Sequence, residues 1–332
     1  MRKIKINKKG ALEFGWIFSI IIGAIILFFA FYFVYSQVMQ QQLFEQKVQT
    51  QGIDVLLTPF SYLGSIGSAS AKIADLDRES RISVSCTSPD SSDALGYNRL
   101  VTQSIYKGET VPGGLKNAYD KYIFADEMQS KKLFVLSKPF EAPWRIGDLI
   151  YFFPNNRTYY FSNAPTRIKE ELEIIEANFD NKHFFFTIAN IPENSIKVCF
   201  RQESNCNITV YNEGENYELG RVTKKNSKNE IETIYYYNDA LMYAAIFSNK
   251  ELYECNVQRL FSRALIQLDL YQQKNTLIIQ KGCVANINLQ SLAQSFEKLK
   301  TFPNNLDNFK SLKTQAIFVN NANKNAIYCG LY

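Results

Sequence analysis

From Gly15 to Tyr35 the chain reads GWIFSIIIGAIILFFAFYFVY, 21 residues without a charge. As a helix rising 1.5 Å per residue this run is about 31 Å long, close to the about 30 Å hydrocarbon core of a bilayer. A cleavable secretory signal carries a shorter apolar core of about 7–15 residues and then a small-residue cleavage site. Here bulky FFAFYFVY stands where that site belongs. Trp16 near one end and Tyr32 and Tyr35 near the other suit the two membrane interfaces. The reading is a retained transmembrane helix over residues 15–35, with a discarded signal as the alternative.

Charge orients that helix. Arg2, Lys3, Lys5, Lys8 and Lys9 precede it, and Gln and Ser follow it. The positive-inside rule then places residues 1–14 as a basic cytoplasmic flank and the chain from about Ser36 onward on the extracytoplasmic side of the cell membrane. The whole chain carries 37 Lys and Arg against 32 Asp and Glu. Removing the five leading cations leaves 32 against 32, so the remainder is electroneutral and offers no electrostatic footprint for nucleic acid. The lipid bilayer is the partner that the sequence names most directly.

Six cysteines, Cys86, Cys199, Cys206, Cys255, Cys283 and Cys329, form an even set that suits disulfides in an exported domain. Cys199 and Cys206 flank a short polar turn in VCFRQESNCNIT and are the first candidate pair; buried free thiols are the plainer alternative. The spacings contain no C-x-x-C knuckle, and one histidine cannot supply a metal-binding cluster, so no metal or cofactor is expected. Two sequons, at Asn156 and Asn207, are glycosylation candidates on that side of the membrane.

After the span, residues 36–72 read as a Gln-rich helical stalk and a Ser/Gly linker. GSIGSASA lacks the Gly-Lys-Ser/Thr of a phosphate loop and the Gly-x-Ser-x-Gly of a nucleophile elbow. Residues 73–332 read as one domain. RISVSC, KYIFA, KLFVL, DLIYFF, TYYFS, HFFFTI, IKVCF, NITVY and IETIYYY have strand composition, and TLIIQKGC reads as a further buried strand. VPGG at 111–114 reads as a turn. Ile168, Leu172 and Ile175 fall at i, i+4 and i+7 in a helix over 166–178. Val257, Leu260, Phe261, Ala264, Leu265 and Leu268 mark the strongest helix of the outer domain, and LQSLAQSFEKLK marks another, ended by Pro303. Strands and helices interleave without repeat, so the expected class is α+β: a transmembrane helix and stalk, then a mixed, largely antiparallel sheet with amphipathic helices.

Chemistry is harder to find. A Ser-His-Asp or Cys-His mechanism would have to use His183, which enters an aromatic strand and reads as structural. Glu170, Glu171, Glu173 and Glu176 read as the solvated face of their helix. Asp148 and Asp239 have no partner that the sequence identifies. The 14% aromatic content lies in strand-like runs that burial explains, leaving carbohydrate stacking as a minor alternative.

Two resemblances bear on role. The FGWIF membrane segment, YAAIFSNKELYECNVQRL at 243–260, the later Cys283 and the terminal YCGLY resemble a group of uncharacterised single-pass membrane proteins from small-genome archaea. The resemblance implies a surface-anchored, disulfide-bearing domain and transfers no role to any residue. Lys8, Lys9 and Gly10 followed by ALEFGWIF resemble the class III signal of archaeal type IV pilin-like proteins, which implies processing between Gly10 and Ala11. Glu13 would then be third in the mature chain, not fifth as in bacterial-type pilins. The expected function is a non-enzymatic envelope protein that binds or assembles, with envelope proteins or its own copies as partners. A pilin-like or pseudopilin subunit and an exported enzyme with an unidentified site are the alternatives.

Overall fold

The structure, a computed structural model, describes residues 15–38 and 69–332 apart from 107–108, 178, 189–190, 227, 283–286 and 327–328. The chain divides into two units, Met1–Gln49 and Thr50–Tyr332. In the first unit, helix α1 runs Gly15–Val38; its most apolar 18-residue window has mean hydropathy 2.8 and no buried residue. It continues three residues past Tyr35, because Ser36, Gln37 and Val38 contain no helix breaker. Most of the expected stalk lies outside the described residues, as do Gly10, Ala11 and Cys283.

The first described element of the second unit is an 18-residue strand, β1 (Ser70–Thr87). One sheet contains β1, β2 (Tyr97–Tyr106), β3 (Glu109–Ala118), β4 (Tyr122–Ala125), β5 (Met128–Glu141) and β6 (Arg145–Pro154), in the order β3-β2-β1-β5-β6-β4. Only the β4–β6 pairing in it is parallel. The second sheet contains β7 (Tyr159–Ser162), β8 (Phe184–Phe185), β9 (Ile196–Cys199), β10 (Ile208–Asn212), β11 (Leu219–Lys225) and β12 (Ile231–Tyr237), in the order β12-β11-β10-β9-β7-β8. There β7, β8, β9 and β10 pair in parallel, while β10, β11 and β12 form an antiparallel meander. Helix α2 (Thr166–Glu176) follows β7, and α3 (Asn238–Phe247), α4 (Lys250–Gln280), α5 (Gln290–Thr301) and α6 (Leu306–Asn325) complete the chain. The class is α+β with mixed sheets.

The apolar runs KYIFA, KLFVL and DLIYFF are continuous because their strands are buried on both faces. Phe134 and Leu136, with Tyr151 and Phe153, face a large aromatic core shared with the second sheet and α3 and α4. Their neighbours Leu133, Val135, Ile150 and Phe152 face a smaller aliphatic core on the other side of the same sheet. Ile123 of β4 donates its N–H to Asn98 Oδ1 on β2 at 3.0 Å, so the sheet curls around that inner core.

Three local expectations are corrected. VPGG is not a turn but part of β3, paired with β2 across a register shift between Val101 and Gln103. A Cβ on Gly113 would lie 1.8 Å from the Thr102 carbonyl oxygen, so glycine here permits close approach of two strands. TLIIQ is not a strand but the last turns of α4, with Leu277 60% exposed. A three-residue apolar run cannot distinguish helix from strand by period. HFFFTI supplies only the two residues of β8.

α3 and α4 break at Ser248. Asn249 Oδ1 accepts from Leu252 N at 2.8 Å and starts the new helix. Lys224 Nζ donates to the carbonyls of Ala245 (2.9 Å), Ile246 (3.4 Å) and Ser248 at the end of the old one. Burial lowers the pKa of that ammonium.

Candidate functional site

Cys199 and Cys206 are joined across the turn before β10, and Cys86 is joined to Cys255, 169 residues away, tying the end of β1 to α4. Cys329 is also disulfide-bonded. Asn156 is exposed in the turn after β6; Asn207 is exposed too, with its Oδ1 accepting from Lys197 N at 2.8 Å.

His183 is fully buried. Its Nδ1 lies 3.0 Å from Glu176 Oε1, and its Nε2 lies 3.1 Å from both the carbonyl oxygen and Oδ1 of Asn155. Both ring nitrogens thus face oxygen, while the ring packs on Phe134 with centroids 4.1 Å apart. Glu176 also accepts the backbone N–H groups of His183 (2.5 Å) and Phe184 (3.2 Å). This corrects the view of Glu176 as solvated: at 7% exposure its carboxylate closes the outer edge of β8. A recess of about 520 Å³ between α2 and β8 borders it, but the carboxylate there is already engaged by its own backbone.

Arg259 is the second buried polar centre, at 1% exposure on α4. Nε donates to Leu95 O (3.1 Å). Nη1 donates to Asn98 Oδ1 (2.6 Å), Lys121 O and Asn256 Oδ1 (both 2.9 Å), and Nη2 to Tyr119 O (2.7 Å), Gly96 O (3.3 Å) and Ala118 O (3.4 Å). All five guanidinium hydrogens have acceptors within reach. The shell is one of carbonyl oxygens, with the Tyr122 ring 5.1 Å away. Burial lowers the pKa of Arg259 to about 10. This arrangement holds the β2, β3 and β4 connections onto α4 and leaves no guanidinium donor for a ligand.

A different arrangement lies where β5, α2, the start of β11, the β12–α3 junction and α6 converge. They surround an open cleft of about 460 Å³. Three ion pairs meet around it. Arg167 Nη2 stands 2.8 Å from Asp239 Oδ1, without hydrogen-bond alignment, and donates to Asn216 O at 2.6 Å. Lys313 Nζ donates to Glu218 at 2.8 Å. Lys138 is bonded to Glu171, whose other oxygen accepts from Tyr243 Oη at 2.8 Å. Glu171, expected to be solvated, is therefore half-buried and doubly engaged. Burial raises the pKa of Asp239, against the opposing pull of Arg167 and Lys138.

Asn238 sits at the lip in the left-handed region, φ 60°. Its N–H donates to Glu218 O (2.6 Å), its Nδ2 to Glu141 O (3.4 Å), and its Oδ1 accepts from Ala240 N (3.0 Å) and Leu241 N (3.3 Å). One residue, through its backbone N–H and its side chain, thus ties two walls to the start of α3. Behind the ion pair the Tyr236 hydroxyl is buried with no hydrogen-bond partner, and so is Arg167 Nη1. Asp239 was without a visible partner in the sequence, and Arg167, Lys138, Glu218 and Lys313 drew no attention there. Asp148 pairs with Arg145 near the start of β6 and does not line this cleft (Nε to Oδ1 3.1 Å). No protein-family model, curated protein or solved structure matches the chain.

Proposed function

We propose that the chain is a membrane-anchored extracytoplasmic protein of the cell envelope that works by binding or assembly. The observation that carries this reading is α1: a 24-residue, charge-free helix whose most apolar 18-residue window has no buried residue, joined in sequence to a separate, disulfide-bearing unit. So large an uncovered apolar surface calls for a lipid environment. The cations of the first nine residues favour an N-terminus on the cytoplasmic side, and the disulfides suit an oxidising compartment on the other. Anchoring confines the second unit to the membrane surface, which raises its effective concentration for neighbours.

The test is protease protection in sealed inside-out membrane vesicles, read together with the N-terminal mass of the extracted protein. The reading expects residues 69–332 to survive protease until detergent opens the vesicle, and the mass to include Met1. Digestion before detergent, or release of the protein by carbonate washing, contradicts it. The KKG-ALEF signal favours a second reading, a pilin-like subunit, and a chain that starts at Ala11 is its expected signature.

A further inference from the structure

We propose that the cleft between β5, α2, α3 and α6 binds a small zwitterion, a molecule whose free ammonium and free carboxylate sit on one residue-sized frame, such as an unblocked α-amino acid. The cleft lies wholly within the disulfide-bearing unit, so the proposal stands independently of where α1 resides.

The charge pattern is the first reason. The cleft is lined by three cations, Lys138, Arg167 and Lys313, and three anions, Glu141, Glu218 and Asp239. A ligand of one sign would gain from one set and be repelled by the other. A ligand that carries both signs meets both sets, its carboxylate toward Arg167 and its ammonium toward Asp239 and Glu218.

Unspent hydrogen-bonding capacity is the second. Among the described residues five buried side-chain atoms lack a hydrogen-bond partner; two are the amide atoms Asn98 Nδ2 and Asn117 Oδ1, and the other three belong to Arg167, Tyr236 and Asp239. In the cleft, Arg167 Nη1 has no acceptor, and the Arg167–Asp239 contact lacks hydrogen-bond alignment. Beneath the lining, in the core, the Tyr236 hydroxyl also has no partner, and Asp239 and Arg167 are the leading charged groups that act on it. A carboxylate that accepts from the guanidinium supplies the missing acceptor in the bidentate geometry arginine favours.

Construction is the third. Asn238 holds a left-handed conformation at the lip, and non-glycine residues in that region concentrate at functional sites. Ile317, 48% exposed, and Tyr237 supply an apolar wall against which a ligand's side chain can lie. The volume, about 460 Å³, falls in the range of small-molecule sites.

Isothermal titration calorimetry on the full chain in detergent micelles tests the proposal, with L-leucine as the probe. The account expects saturable heat from L-leucine and at least tenfold weaker binding of both N-acetyl-L-leucine and L-leucine methyl ester. Arg167→Gln is expected to weaken L-leucine at least tenfold while near-UV circular dichroism stays native. Should that variant not fold, Lys313→Gln on the outer rim serves, with a smaller loss in the same direction. No heat from L-leucine, L-glutamate or L-lysine overturns the proposal, as does equal binding of the blocked derivatives. Binding of L-leucyl-L-leucine without binding of L-leucine overturns it too, since it assigns the cleft to a longer frame.

Discussion

Arg259 and Arg167 are both arginines drawn into the same unit, and the protein treats them in opposite ways. Arg259 is sealed from water inside a shell of carbonyl oxygens, with every donor engaged. Arg167 stands at the wall of a cleft, its side chain 35% exposed, beside a carboxylate it does not align with and with one nitrogen unpartnered. A charge that only builds the fold is satisfied and closed. A charge kept for something else is left open and incomplete.

The strongest way to break this contrast is to remove Arg259. Arg259→Met leaves several buried carbonyls without donors, and such losses cost about 3–5 kcal/mol when a buried charged network is broken. Denaturant unfolding is expected to show that loss, whereas Arg167→Gln is expected to stay within about 1 kcal/mol, as befits a partly exposed pair. Similar losses in the two variants would erase the distinction.

Glu176→Gln gives an intermediate case. It keeps the shape of the β8 edge but removes the charge that faces His183 and two backbone N–H groups, hydrogen bonds worth about 1.5–3 kcal/mol when charge-assisted. Denaturant midpoints should place it between the two arginine variants; a midpoint equal to the parent's would mean the carboxylate there is dispensable.

The smallest effect is one of pH. Burial raises Asp239 above the 3.8 of a free aspartate. Folding therefore favours its protonated form, so its contribution to stability is present at low pH and is lost as pH rises through the raised value. Ligand binding runs the other way, because the ammonium needs the ionised carboxylate. Affinity for L-leucine should fall on acidification, beginning at a higher pH than an ordinary aspartate would give, and Asp239→Asn should flatten both profiles. A binding profile flat down to pH 4 would remove Asp239 from the site.

Much of the architecture was legible in the residues, and the site was not. The apolar span of α1, the stripe of α4 and the half-buried α2 are local periodicities, and local patterns survive without tertiary knowledge. KLFVL and DLIYFF announced strands, although the reason for their continuity, a sheet buried on both faces, needed the fold. VPGG and TLIIQ were misread because a glycine that permits close strand approach looks like a turn, and a short apolar run fits either period. Arg259 did leave a signal: with Leu252 and Asn256 it falls at i, i+4 and i+7 on the buried side of α4. The cleft left none, since Lys138, Arg167, Glu218, Asp239 and Lys313 span 175 positions and converge only through packing.

The most direct measurement follows the guanidinium groups themselves. Arginine side-chain nitrogens can be labelled with ¹⁵N in the full chain and their resonances followed by NMR as L-leucine is added. The account predicts that the Arg167 Nη signals move and slow in hydrogen exchange while those of Arg259 stay unchanged. Movement at Arg259 with none at Arg167, or no movement at either, would contradict it.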